Sequence, residues 1–123
     1  MVKEFKQGDI IYLDFGPQIG HEQKGKRPAV VISCDDYNFV KKNMIIAAPI
    51  TSKEQKSIFC YELSDKSKTQ GYVLCDQLKA IDTSARKIKH FESLDQDSIN
   101  TILSIIRSIF SLQKWNSIVN RVF

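Results

Sequence analysis

Asp95-Gln-Asp-Ser-Ile99-Asn-Thr-Ile102-Leu103-Ser-Ile-Ile106-Arg-Ser-Ile109-Phe110 decides the fold, because here the apolar residues begin to recur at spacings of three and four. At 3.6 residues per turn, Ile99, Ile102, Leu103, Ile106, Ile109 and Phe110 share one side of a helix, which predicts an amphipathic helix burying that stripe. Asp95 is placed to cap its first turn, and Asp97 adds negative charge near the positive end of the helix dipole. Ser93 with Gln96 forms a competing capping box.

Upstream of Leu94 the pattern differs, with short β-prone runs separated by polar loops. Asp9 to Phe15 is rich in β-branched and aromatic residues and stops at the turn signal Gly16-Pro17. A polar loop, Gln18 to Lys26, leads into the apolar run Arg27 to Ser33, with Pro28 near its start, where a missing donor is tolerated. Asn43 to Ile50, Ile58 to Leu63 and Gly71 to Cys75 are three further strand candidates, and Lys87 to Ser93 a short sixth. Strands in succession followed by one helix predict a mainly β domain, a partly closed antiparallel barrel with the helix packed on it. Residues 1–123 read as a single domain with no repeat or linker. Lys114 to Phe123, with Trp115, Val119, Val122 and Phe123, is too apolar for a free tail and is expected to dock on the domain or on a second subunit.

Composition narrows the class. Hydrophobic residues at 42% and charged residues at 26% match a globular chain and argue against disorder. The longest apolar run, Met44 to Ile50, falls far short of the roughly 20 residues of a membrane helix, and the N-terminus has no secretory pattern, so a cytoplasmic protein is expected. Cys34, Cys60 and Cys75 match neither a disulfide framework nor a CxxC motif, and with only His21 and His90 beside them no metal site or other cofactor is expected. The net charge of +4 favours a polyanion partner, although a basic excess is common on solvated surfaces too.

Chemistry concentrates in Gly20-His21-Glu22-Gln23-Lys24-Gly25-Lys26-Arg27-Pro28, where an imidazole, a carboxylate, an amide and several cations share one glycine-flanked loop. Loops carried by a rigid sheet are where binding and catalytic groups gather; a solvated loop is the plainer reading of the same composition.

Gly8-Asp9-Ile10 with Asp14-Phe15, then Gly20-His21-Glu22-Gln23 and Arg27-Pro28-Ala29-Val30-Val31, resembles the N-terminal signature of MazF/PemK toxins. Pro49-Ile50-Thr51-Ser52, Cys75-Asp76-Gln77 and Ala80-Ile81-Asp82 follow in the order and spacing of that family, so the resemblance runs from about Gly8 to near Leu112. It implies an SH3-like small barrel with a C-terminal helix, a homodimer, and a metal-independent endoribonuclease acting on single-stranded RNA. In that reaction the ribose 2′-hydroxyl attacks the adjacent phosphate, leaving a 2′,3′-cyclic phosphate and a free 5′-hydroxyl. The step needs a base, a cation for the developing charge, and an acid.

The resemblance also assigns residues. Arg27 matches the arginine of the Arg-Pro signature, and its guanidinium suits two phosphate oxygens, though a surface ion pair would explain it as well. Thr51 matches the family threonine and, with Ser52, offers hydroxyl donors; both are also good turn formers. His21 matches a histidine of the PemK branch and is a base, an acid, a phosphate contact or simply a solvated loop residue. Glu22 serves either as base or as the group that orients Arg27. Asp76 aligns with an acidic residue tied to base chemistry in that branch; orienting other groups, binding RNA or serving only the fold are its alternatives. Leu74, however, stands where the branch has a catalytic arginine, so its aspartate-arginine arrangement does not carry over intact and a mechanism centred on Arg27 and Thr51 is favoured.

Gln23, Lys24, Lys26, Ser52, Lys53, Lys56, Gln77 and Lys79 are expected to contact RNA, with Lys66 and Lys68 in a nearby loop. Phe59, Tyr61 and Tyr72 are candidates for stacking on bases, and equally for packing in the core. A cognate antitoxin is the expected protein partner, an acidic or amphipathic segment of it covering the basic groove. The alternatives are a CcdB-like toxin that grips gyrase without cutting RNA and a noncatalytic SH3-like nucleic-acid module.

Overall fold

The longest strand, β3 (Met44–Thr51), organises the sheet. Before it come β1 (Asp9–Asp14), β2 (Lys26–Val31) and a short helix, α1 (Asp35–Lys41); after it come β4 (Cys60–Glu62), β5 (Tyr72–Leu74), β6 (Lys79–Asp82), β7 (Lys89–Ser93) and the helix α2 (Gln96–Ile109). This computed structural model describes residues 4–16, 20 and 25–112. Antiparallel pairing gives a seven-stranded sheet in the order β4-β5-β3-β2-β1-β7. β6 pairs with the first half of β3, from Met44 to Ala47, and β5 with its last two residues, Ile50 and Thr51.

Both faces of the sheet are buried, which is why its central strands read as continuous apolar runs and not as alternation. One face carries Ile10, Val30, Ala48, Ile50 and Val73, covered by Ile99, Ile102 and Ile106 of α2. The other carries Ile11, Leu13, Ala29, Val31, Ile45, Ala47 and Ile81, packed with Phe5 and Ile88. The result is an open, barrel-like sheet with a C-terminal helix, the class expected from sequence. The edge strands β4 and β7 do not pair with each other. Instead, Glu92 of β7 accepts hydrogen bonds from Lys68 N–H (3.1 Å), Thr69 N–H (2.7 Å) and the Thr69 hydroxyl (2.6 Å), on the loop joining β4 to β5. A carboxylate clasp closes the gap that no backbone ladder spans.

Asp95 is the cap of α2, its carboxylate accepting from Ser98 N–H at 3.3 Å and from the Ser98 hydroxyl at 2.6 Å. Gln96 turns along the helix to Asn100, so the competing capping box does not form. The second strand stops at Val31, short of Ser33, because Ile32 N–H and Ser33 N–H converge on one carbonyl, that of Ile46, and interrupt the ladder.

Two elements were not expected from the sequence. Helix α1 buries only Asn38 and leaves Phe39 75% and Val40 73% exposed, so it carries no apolar stripe to detect. Its anchor is polar: Asn38 Nδ2 donates to the carbonyls of Phe5 and Ser33. Strand β6 is four residues long with Ile81 alone buried, too brief for a period to show. The docking expected of Lys114 to Phe123 lies outside the described residues. Among the described residues, no helix is long and apolar enough to cross a membrane.

Candidate active site

One row of residues crosses the sheet at the end where β1 and β2 are joined. β2 runs against β3 with Val31 opposite Ala47, Val30 opposite Ala48 and Ala29 opposite Pro49. The paired stretch ends at Ala29 and Pro49, and Arg27 and Thr51 each lie two residues beyond it, in step with one another at the same end of the sheet. Leu13 lies opposite Arg27 on the other side, Tyr72 opposite Thr51, and Glu62 opposite Tyr72. Directly opposed residues of an antiparallel ladder point to the same face, so Arg27, Thr51, Tyr72 and Glu62 share the face that carries Ala29 and Ala47. With strands about 4.8 Å apart, Thr51 is one strand spacing from Tyr72.

Thr51 is buried, and its Oγ1 accepts from Lys53 N–H at 3.2 Å, a local turn that orients the hydroxyl. A hydroxyl has one proton to donate besides its lone pairs, so this bond leaves Thr51 able to donate to an anion. Behind it, Gly71 has a φ of +128°, and a Cβ there would come within 2.4 Å of the Thr51 carbonyl oxygen. Only glycine allows β5 to begin so close to Thr51. Arg27 is half-buried in β2, its backbone fixed by the ladder to Leu13.

The other residues expected at the site are more scattered. Gly16 and Gly25 bracket the loop between β1 and β2: Phe15 N–H donates to the Gly25 carbonyl (2.9 Å) and Gly25 N–H to the Gly16 carbonyl (2.8 Å). His21, Glu22, Gln23 and Lys24 lie outside the described residues. Lys26 is exposed beside Arg27, and Ser52, Lys53 and Lys56 are exposed on the loop that follows Thr51. Asp76 is exposed in the turn after β5, which Gln77 N–H closes on the Leu74 carbonyl at 3.1 Å. Since Lys79, just beyond that turn, faces Ala47, the turn runs beside the Ala47–Pro49 part of β3. That is roughly 7–13 Å along the strand from Thr51. Lys79 itself reaches the Phe15 carbonyl at 3.4 Å, while Lys66 and Lys68 belong to the loop that Glu92 holds.

A groove of about 730 Å³ next to Arg27 went unnoticed in the sequence. Lys26, Arg86, Lys87 and Lys89 line it together with Tyr12 and Asp14. The signal was the run Arg86-Lys87-Ile88-Lys89, in which buried Ile88 anchors the segment and the flanking cations face out. Arg86 is tied down by a hydrogen bond from Nη1 to the Asp14 carbonyl at 2.5 Å.

The three cysteines are free. Burial, then the charges of Cys60 and Asp76, pushes the Cys75 thiol up to about 12; burial and Asp76 also raise Cys60. Both are therefore protonated at neutral pH and unsuited to nucleophilic attack. Among the described residues, no three His, Cys, Asp or Glu side chains are grouped as a metal ion would need.

Residues 6–110 match the model of the PemK-like, MazF-like toxins of type II toxin–antitoxin systems. The chain belongs to this family. The endoribonuclease EndoA of Bacillus subtilis (strain 168) is 32% identical over 107 residues, covering 81% of this chain and 91% of EndoA. A crystal structure of MazF from Deinococcus radiodurans superposes with a TM-score of 0.80 at 29% identity, covering 89% of this chain and 99% of that one. A MazE-MazF structure from the same organism gives a TM-score of 0.76 at 29% identity, covering 90% and 99%. A MazF/PemK match across both the strands and the helix does not favour the gyrase-binding alternative, for which only the fold would be shared.

Proposed function

We propose that this MazF/PemK family member is the toxin of a type II toxin–antitoxin pair and an endoribonuclease that cuts single-stranded RNA, with Arg27 and Thr51 holding the phosphate at which the chain breaks. The observation that carries this reading is that Arg27 and Thr51 lie on neighbouring strands, on one face, each two residues beyond the Ala29–Pro49 pair, with exposed Lys26, Lys53 and Lys56 beside them. EndoA and the MazF of Escherichia coli (strain K12) bear endoribonuclease names, and the MazE-MazF neighbour is a complex.

In the proposed reaction the 2′-oxygen of one ribose attacks the adjacent phosphorus while the bond from phosphorus to the 5′-oxygen breaks. The 2′-hydroxyl proton passes to a base and a proton is delivered to the departing 5′-oxygen. Negative charge grows on the nonbridging oxygens, which the Arg27 guanidinium spans with two parallel hydrogen bonds and Thr51 Oγ1–H meets with a third. His21, Glu22 and Asp76 are the proposed proton-transfer groups, Glu22 alternatively orienting Arg27. Because the nucleophile is the substrate's own hydroxyl, the step calls for no metal. Gln23, Lys24, Lys26, Ser52, Lys53, Lys56, Gln77 and Lys79 are proposed contacts along the strand. The groove of Lys26, Arg86, Lys87 and Lys89 would extend its phosphate track. A cytoplasmic homodimer silenced by its cognate antitoxin completes the proposal.

Incubating a long RNA of mixed sequence with the protein in excess EDTA tests it. The expected result is cleavage at a short recurring word with cyclic phosphate ends, reduced about 10²–10³-fold in Arg27→Ala and Thr51→Val. Binding without cleavage by the wild type, or full activity in both variants, would overturn it.

A further inference from the structure

Three aromatic side chains compete as base platforms, and their surroundings separate them. Tyr61 faces α2: its hydroxyl donates to Ser98 Oγ at 3.0 Å, and its cross-strand partner, Val73, belongs to the core beneath that helix. Phe59 lies in the loop before β4, outside the ladder. Tyr72 alone sits in the row of Arg27 and Thr51, directly opposite Thr51, half-buried, with its hydroxyl 3.4 Å from Glu62 Oε2. Glu62 is exposed and opposite Tyr72, so the row runs from guanidinium to hydroxyl to phenol ring to carboxylate.

We infer that Tyr72 and Glu62 read a base: the Tyr72 ring stacks on the base next to the scissile phosphate, and the Glu62 carboxylate accepts a hydrogen bond from its amino group. This rests on the proposed ribonuclease activity. A phosphate held between Arg27 and Thr51 leaves the attached nucleoside one strand further on, over Tyr72. Aromatic faces accept any base, so selection falls to Glu62. A carboxylate is acceptor-only at neutral pH and has capacity beyond the contact with Tyr72. Adenine, cytosine and guanine each offer an amino group; uracil offers a single N–H flanked by two carbonyl oxygens that a carboxylate repels. The pair therefore disfavours uracil at one position of the cleaved word. Burial, then the charges of Glu62 and Glu54, pushes the Tyr72 hydroxyl above its usual range, so it stays a proton donor toward Glu62.

Sequencing the ends cut from a mixed-sequence RNA library by wild type, Tyr72→Ala, Tyr72→Phe and Glu62→Gln tests the inference. The wild type is expected to exclude uracil at one position flanking the cut. Glu62→Gln, whose amide both donates and accepts, should admit it there and leave other positions unchanged. Tyr72→Ala should lose roughly 10-fold in kcat/KM, carried by KM, as loss of one stacked base implies, while Tyr72→Phe, which keeps the ring, should hold the wild-type KM. Wild-type cleavage with the same word in every variant, or a Tyr72→Ala defect that Tyr72→Phe shares and that appears only as a lower melting temperature, would overturn this inference alone. Absence of cleavage by the wild type would overturn the ribonuclease reading and this one with it.

Discussion

Replacing Gly71 by alanine removes no functional group, yet it should damage both stability and activity. The new Cβ would lie 2.4 Å from the Thr51 carbonyl oxygen, where ordinary contact begins at 3.4 Å, so β5 and the end of β3 must separate by 3.4 − 2.4 = 1.0 Å. Neither partner has a rotamer to escape into, because the obstacle is backbone. The φ of +128° adds strain that a side chain rarely sustains. Strain of this kind costs about 1–3 kcal/mol and overpacking about 1–3 kcal/mol, a large share of the ~5–15 kcal/mol by which domains are stable. A fall in Tm of about 10–20 °C follows. A shift of ~1 Å in Thr51 should also cost on the order of 10²-fold in cleavage rate. Thermal melts by circular dichroism, with cleavage rates measured where both proteins are folded, check the two effects separately. Gly16→Ala is the thermal control: φ is +82° but nothing lies within 4 Å of its Cβ, so only the conformational strain of about 1–2 kcal/mol remains. Gly71→Ala with the wild-type Tm and rate would refute the claim that close approach of β5 fixes Thr51.

The Glu92 clasp makes stability depend on acid. Burial alone would raise this carboxyl, but the Thr69 and Lys68 hydrogen bonds and the Lys68 charge outweigh it and hold it below its usual 4.5. Stability from a depressed carboxyl is present above the unfolded value and is lost as pH falls through the folded one. Melting temperatures measured from pH 7 to pH 3 should therefore drop below about pH 4.5. Glu92→Gln should start lower at pH 7 and fall less steeply, and parallel curves would count against the clasp. In the core, Ile102 is 1% exposed beneath α2, and Ile102→Ala should cost ~2–5 kcal/mol in urea denaturation; a loss under 1 kcal/mol would mean that α2 contributes little to the barrel.

Strong period and strong punctuation made most of the fold legible. The stripe of Ile99, Ile102 and Ile106 declared α2, and Asp95 its start. Buried runs such as Ala29 to Val31 and Ile45 to Ile50 declared the central strands. Helix α1 escaped because its stability comes from Asn38, a polar side chain bonded to the carbonyls of Phe5 and Ser33, and no local pattern encodes those partners. The loop of Lys66 and Lys68 is tied to Glu92 by backbone N–H groups of Lys68 and Thr69, a contact that no local pattern encodes either.

Residue types and spacing by themselves determined the fold class and the family resemblance, and it was that resemblance which singled out Arg27 and Thr51. Tertiary structure alone decided that these two residues, far apart in the chain, come to the same end and face of neighbouring strands, with Tyr72 opposite Thr51 and Gly71 pressed behind. It also separated Tyr72 from Tyr61, one opposite Thr51 and one under the helix. The reason is that alternation within a strand fixes which residues share a face, while strand order and register, set by packing across the whole sheet, fix which of them meet.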